Sequence, residues 1–131
     1  MAGELILIVE DNEKNRKLER DVLQFHGYRT AEAETAEEGI RLARESVPAL
    51  VLMDIQLPGM NGIQALGHLR ADPLTRAVPI IAVTASAMTQ DRQKIMAAGF
   101  DGYQSKPINV KEFVAAVRQI LDRPPRTEVP A

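Results

Sequence analysis

Four apolar or mixed runs in this chain stop at residues able to do chemistry: Leu5 to Val9 ends at Glu10-Asp11, Ala49 to Met53 at Asp54, Ile80 to Val83 at Thr84, and Gly102 to Ser105 at Lys106-Pro107. A carboxylate at the mouth of a buried strand is costly unless something uses it. If Glu10, Asp11 and Asp54 converge, three like charges raise one another's pKa until a cation is supplied. The donor set is all oxygen, with no His or Cys among the candidates, so the cation is a hard one. Mg2+ is the natural choice, since it takes one or two carboxylates, keeps several waters and accepts phosphate oxygens as the remaining ligands. That chemistry lets one carboxylate attack phosphorus and become an acyl phosphate. Asp54 is the candidate nucleophile, because the loop after it, Ile55 to Gly62, is the least constrained. Lys106 offers a point charge to phosphoryl oxygens and Thr84 a hydroxyl.

The elements needed to bring these groups together can be read from periodicity. Leu5 to Val9, Ala49 to Met53 and Ile80 to Val83 are continuously apolar, the pattern of parallel strands covered on both faces. Tyr28 to Ala33 is less hydrophobic and belongs toward an edge. Between the strands, Leu18, Val22 and Phe25 lie at helical spacing, as do Ala36, Ile40, Ala43 and Val47, then Ile63, Leu66 and Leu69, and finally Phe113, Val117, Ile120 and Leu121. Thr35 with Glu38 predicts a capping box, and Asn109 with Glu112 a weaker one; Gly27 and Gly99 stand where left-handed caps belong, and Pro48 stops the second helix. The helix at about Thr89 to Ala98 has only Met88, Ile95 and Met96 as large apolar residues and is expected to dock most loosely. Five βα units in succession give an α/β three-layer sandwich, a five-stranded parallel sheet with helices on both faces and ligands at the carboxyl ends of its strands.

Composition narrows the function. A chain of 131 residues fits one domain, residues 1–121, followed by a proline-rich tail over 122–131 expected to be disordered. Sixteen basic against eighteen acidic residues, without a basic stripe, argue against a nucleic-acid binder. There is no cysteine, so thiolate metal sites and disulfides are excluded. The N-terminal apolar run is too short for a membrane span or a signal peptide, and a soluble cytoplasmic protein is expected.

The segments Val9-Glu10-Asp11-Asn12, Met53-Asp54-Ile55-Gln56-Leu57-Pro58-Gly59-Met60-Asn61-Gly62, Val83-Thr84-Ala85 and Lys106-Pro107 resemble the receiver domains of two-component response regulators. The likeness covers about Leu5 to Leu121. It implies the flavodoxin-like strand order 2-1-3-4-5, with Asp54 as phosphoacceptor and Glu10 and Asp11 as the acidic pair. Asp11 would be the direct Mg2+ ligand, the backbone carbonyl of Gln56 a third protein ligand, and Thr84 and Lys106 would contact the phosphoryl group. Tyr103 falls at the switch-aromatic position, and Pro107 would follow a cis peptide bond. Glu10 stands where many receivers have Asp, and its longer arm still reaches a metal-bound water. Gln56 and Ser86 occupy positions that tune phosphoryl lifetime. The partners implied are a sensor histidine kinase or histidine phosphotransfer protein upstream. Downstream, a protein target would bind the face made by helix 4, strand 5 and helix 5. No output domain fits within the length, and the segments around Glu10 and Phe100 look most like single-domain cell-division regulators and hybrid-kinase receivers.

An enzyme is the competing reading: a small Mg2+-dependent phosphohydrolase with an Asp nucleophile. Such an enzyme wants a second acid two residues after the nucleophile, and Gln56 is an amide. A flavodoxin-like flavin binder would need a Gly/Ser/Thr-rich phosphate loop after the first strand, where this chain has acids. His26 and His68 lie in helical segments away from every strand end and are expected to be ordinary surface residues.

Overall fold

The computed structural model describes residues 3–85 and 89–123. Five strands alternate with five helices: β1 (Leu5–Val9), α1 (Glu13–Phe25), β2 (Arg29–Ala33), α2 (Ala36–Ser46), β3 (Leu50–Asp54), α3 (Gly62–Ala71), β4 (Ile80–Thr84), α4 (Thr89–Ala98), β5 (Gly102–Ser105) and α5 (Val110–Leu121). All pairings are parallel and the order is β2-β1-β3-β4-β5. β3 and β4 are buried along their whole length, as their continuous apolar runs require. One side of the sheet packs Leu7, Val9, Val51, Met53, Ile80 and Ala82 against α2, α3 and Ile95 of α4. The other packs Ile6, Ile8, Leu50, Leu52, Ile81 and Val83 against Leu23 of α1 and Phe113 and Val117 of α5.

Three helices turn differently from their apolar spacing. In α1 the buried residues are Glu19 and Leu23, whereas Leu18 is 39% and Phe25 85% exposed. The rotation is set by charge: Arg16 donates to the Glu10 carbonyl at 2.9 Å, and Arg16 and Arg20 both bind Glu32 of β2, so the arginine face turns toward the sheet edge and carries Phe25 outward. In α3, Gly62, Ala65, Leu66 and Leu69 face the core and Ile63 is exposed. Val47 is not part of the α2 face but its exposed C-cap.

The caps follow local chemistry. Thr35 accepts from Glu38 N, but Glu38 reaches back to Glu34 N, so this box is only half formed. A complete capping box sits instead at Asn61 and Gln64. Asn12 and Asn109 cap α1 and α5, and Gly27 and Gly99 adopt positive φ as expected. The stretch before β5 is pinned by Asp101, whose carboxylate accepts from Ile80 N and from Arg70 Nη2, both at 2.8 Å; Arg70 also donates to Val78 O at 2.6 Å. Arg123 lies 3.7 Å from the same carboxylate. Of the tail 122–131, Asp122 is the C-cap of α5; residues 124–131, like Ser86 and Met88, lie outside the described residues.

Val47 has φ 42°, the one positive value at a non-glycine position among the described residues. A β-branched side chain is poorly suited to that region, at a cost of about 1–2 kcal/mol. Glycine removes the clash but adds chain entropy to the unfolded state. Val47→Gly is therefore expected to raise stability by about 1 kcal/mol, read as a higher urea midpoint at unchanged slope. An unchanged or lower midpoint would show that the strain is absorbed elsewhere.

Candidate functional site

The carboxyl ends of β1, β3, β4 and β5 bring the predicted residues to one rim of the sheet. Glu10 follows β1 directly and is 1% exposed, and Asp54 closes β3 at 2%. Asp11 is exposed. One carboxylate oxygen from each of these three acids lies within 4.8 Å of the others. Lys106 enters from the far side of the rim, its Nζ 2.7 Å from Glu10 Oε1 and 3.2 Å from Asp54 Oδ2. Its backbone N–H donates to Thr84 O at 2.8 Å, which ties the end of β5 to the end of β4. Thr84 is buried beside this bond, in register with Ser105.

Local backbone chemistry fixes the two buried acids. Glu10 Oε2 accepts from Asn12 N at 3.1 Å as the chain turns into α1. Asp54 Oδ1 accepts from Gln56 N at 2.9 Å, an Asx turn that holds the carboxylate upright at the strand end. Gly62 closes the loop after Asp54: it donates to Ile55 O at 3.1 Å, and a Cβ there would collide with the Asp54 carbonyl oxygen. The Gln56 side chain points to solvent. Tyr103 is half-buried on β5, with the Arg92 guanidinium of α4 5.3 Å from its ring centre, and the Lys106-Pro107 bond is cis. His26 and His68 are exposed and far along their helices from the rim.

The electrostatics are those of a crowded acidic pocket. Burial pushes Glu10 up to about 7, with the Lys106 ammonium pulling it back and Asp54 adding to the rise. Burial works against the charge of Lys106, yet its contacts with Glu10 and Asp54 hold its pKa above the ordinary lysine value. Glu19, on the inner face of α1, is raised further, to about 8, by burial and by the field of Glu10. Residue type alone does not reveal it, since an acid in mid-helix normally faces water.

The donor set suits a hard divalent cation. Octahedral coordination at about 2.1 Å separates ligand oxygens by about 3 to 4 Å, so three carboxylate oxygens within 4.8 Å can share one ion with waters completing the shell.

One protein family accounts for most of the chain that carries this rim. Residues 6–118 match the family model of the response regulator receiver domain. The chain belongs to that family. This receiver is 44% identical over 116 residues to the polar-differentiation response regulator DivK of Brucella ovis, a match covering 88% of this chain and 94% of that protein. Among solved structures, it is similar to the receiver domain of the sensor histidine kinase PA1611 of Pseudomonas aeruginosa, at TM-score 0.86 and 34% identity, covering 93% of this chain and 100% of that one. That receiver carries a magnesium ion coordinated in its active-site cleft. A CheY-like receiver from Methanospirillum hungatei aligns at TM-score 0.83 and 30% identity over 92% of this chain and 95% of its own. Among the described residues of this receiver, no helix is long and apolar enough to cross a membrane.

Proposed function

We propose that this receiver, spanning residues 1–121, is the phosphoacceptor of a two-component phosphorelay. It takes a phosphoryl group from a sensor histidine kinase or a histidine phosphotransfer protein onto Asp54. The observation that carries this reading is the placement of Asp54: buried, oriented by Gln56 N, in contact with Lys106, and one member of a three-carboxylate cluster.

The residues divide the work. An Asp54 carboxylate oxygen attacks phosphorus, the donor's phosphorus–nitrogen bond breaks, and the electron pair leaves with the imidazole, giving an acyl phosphate. Glu10, Asp11, Asp54 and the Gln56 carbonyl would hold Mg2+, which when bound supplies positive charge to the phosphoryl oxygens. Lys106 moves its ammonium from the carboxylates to the new phosphoryl group, and the Thr84 hydroxyl donates to another of its oxygens. Phosphorylation adds about −1.5 to −2 charge at the rim. Thr84 then moves toward it and Tyr103 turns inward. The surface of α4, β5 and α5 repacks to bind a protein target. A soluble, cytoplasmic location suits such a relay.

Incubation with Mg2+ and acetyl phosphate is expected to add the mass of one phosphoryl group to the parent chain and none to Asp54→Ala. Asp11→Ala, or chelation of the metal, is expected to abolish the gain. Labelling that survives in Asp54→Ala overturns the assignment of the acceptor, and labelling that survives in Asp11→Ala overturns that of the metal ligand. Sustained phosphate release from varied monoesters would favour the phosphohydrolase.

A further inference from the structure

Glu19 is the anomaly of this chain. It is 1% exposed, and its Oε2 has no hydrogen-bond partner among the described residues. A buried carboxyl with an unpartnered oxygen costs stability, so a neutral or apolar residue would be the better choice for folding alone. Its position points to the rim. Glu19 lies six residues into α1, roughly 9 Å along the axis from Glu13, and helical side chains lean back toward the N-terminus. That lean is toward the end of α1 that follows Glu10 and Asp11, and the buried carboxyl is near enough to the rim to feel its charges. The charged groups it feels are Glu10 after β1, Asp54 on β3 and Lys106 after β5. On the neighbouring elements, α5 contributes the apolar Phe113 and Val117 to this layer, and Glu32 of β2 is already held by Arg16 and Arg20.

We propose that Glu19 is a positioning residue for the metal pocket: a buried fourth carboxyl that gives up its proton as a divalent cation arrives and so strengthens the hold of Glu10, Asp11 and Asp54 on that cation. The inference rests on the metal reading above. With its proton on, Glu19 adds no charge beneath the acids and leaves Lys106 sufficient as their counter-ion. With its proton off, it adds a negative charge that favours a cation, at a distance where the attraction is partly screened. The proton departs to solvent, and no bond to the metal is required.

Isothermal titration of the full chain with MgCl2, in buffers of differing ionisation enthalpy, counts the protons released on binding. At about pH 7.5 the parent is expected to release roughly half a proton more than Glu19→Gln. At about pH 8.5, where Glu19 can ionise, the parent is expected to bind Mg2+ about five- to tenfold more tightly than Glu19→Gln, and equally tightly at about pH 6. Glu19→Asp, which keeps the carboxyl, is expected to restore part of the proton release. Equal proton counts and parallel affinity profiles for parent and Glu19→Gln, with Mg2+ bound by both, overturn the role of Glu19 alone. Absence of binding to either overturns the metal site and this inference together. If Glu19→Gln proves poorly folded, Glu19→Ala serves in the same titration with the same expected outcomes.

Discussion

Lys106→Ala is expected to lower the stability of the metal-free chain by about 3 kcal/mol at about pH 8, measured by urea unfolding in the presence of a chelator. The ammonium lies 2.7 Å from Glu10 and 3.2 Å from Asp54, whose side chains are 1% and 3% exposed, so its removal leaves two buried carboxylates with no counter-charge. The deficit is expected to shrink below about pH 6. Glu10 holds a proton up to about pH 7 even with Lys106 present, and a neutral Glu10 needs no cation. Lysine itself stays charged across this range, because its pKa is raised, and its stabilising effect would fade only at strongly alkaline pH. Added Mg2+ is expected to stabilise the variant more than the parent, since the ion no longer competes with an ammonium for the same oxygens. A pH-independent deficit, or no extra gain from Mg2+, would mean that Lys106 acts through packing alone.

Glu19→Gln is expected to be more stable than the parent by roughly 3 kcal/mol at about pH 8 and nearly equal to it at about pH 4.5. The folded chain keeps this proton up to about pH 8, while an unfolded glutamate loses it near 4.5. Between those values the folded state binds more protons, so the stability contributed by Glu19 is complete below 4.5 and is lost as pH rises through 8. Each unit of that window is worth about 1.4 kcal/mol at most, and relaxation around the ionised acid reduces the total. Glutamine has no proton to lose, so its curve lacks this slope while keeping the slope due to Glu10. Thermal unfolding of both chains from pH 4.5 to 9 checks it. Parallel curves would show that Glu19 is ionised throughout.

The fold and most of the rim were legible because they rest on strong, short-range signals. Continuous apolar runs define β1, β3 and β4, and the polar residue at the end of each run falls at the strand's carboxyl end, so Glu10, Asp54 and Thr84 are placed by the strands themselves; Lys106 follows the short mixed strand β5. What the pattern misplaced was rotation. Leu18, Val22 and Phe25 make a convincing stripe, yet α1 answers to the Arg16 and Arg20 contacts with Glu32, partners on another element. Glu19 was hidden by the same error. Val47 in a left-handed cap and the half-formed box at Thr35 were also beyond reach of residue type alone, because both depend on where the preceding helix has to stop. Asn61 and Gln64, by contrast, carry a legible i, i+3 capping signature directly after the more conspicuous Pro58-Gly59 turn.

Asp101 sits at the opposite end of the sheet from this chemistry. Through Arg70, Ile80 N and Arg123 it clamps the entry to β5 against α3, β4 and the end of α5, while past the far end of β5 the Lys106 N–H bonds Thr84 O and the Lys106 ammonium reaches across to Glu10 and Asp54. The sheet edge is secured like a door: one jamb is fixed by a clamp remote from the acids, and the latch is held through charges that chemistry at Asp54 would alter. In the proposed phosphorelay, a change at the latch would leave the contacts of the jamb in place, so that α4 could repack while the domain stays folded. Amide exchange is then expected to be slower at the jamb than at the latch, and signalling amplitude and thermal stability would be properties that selection can adjust separately.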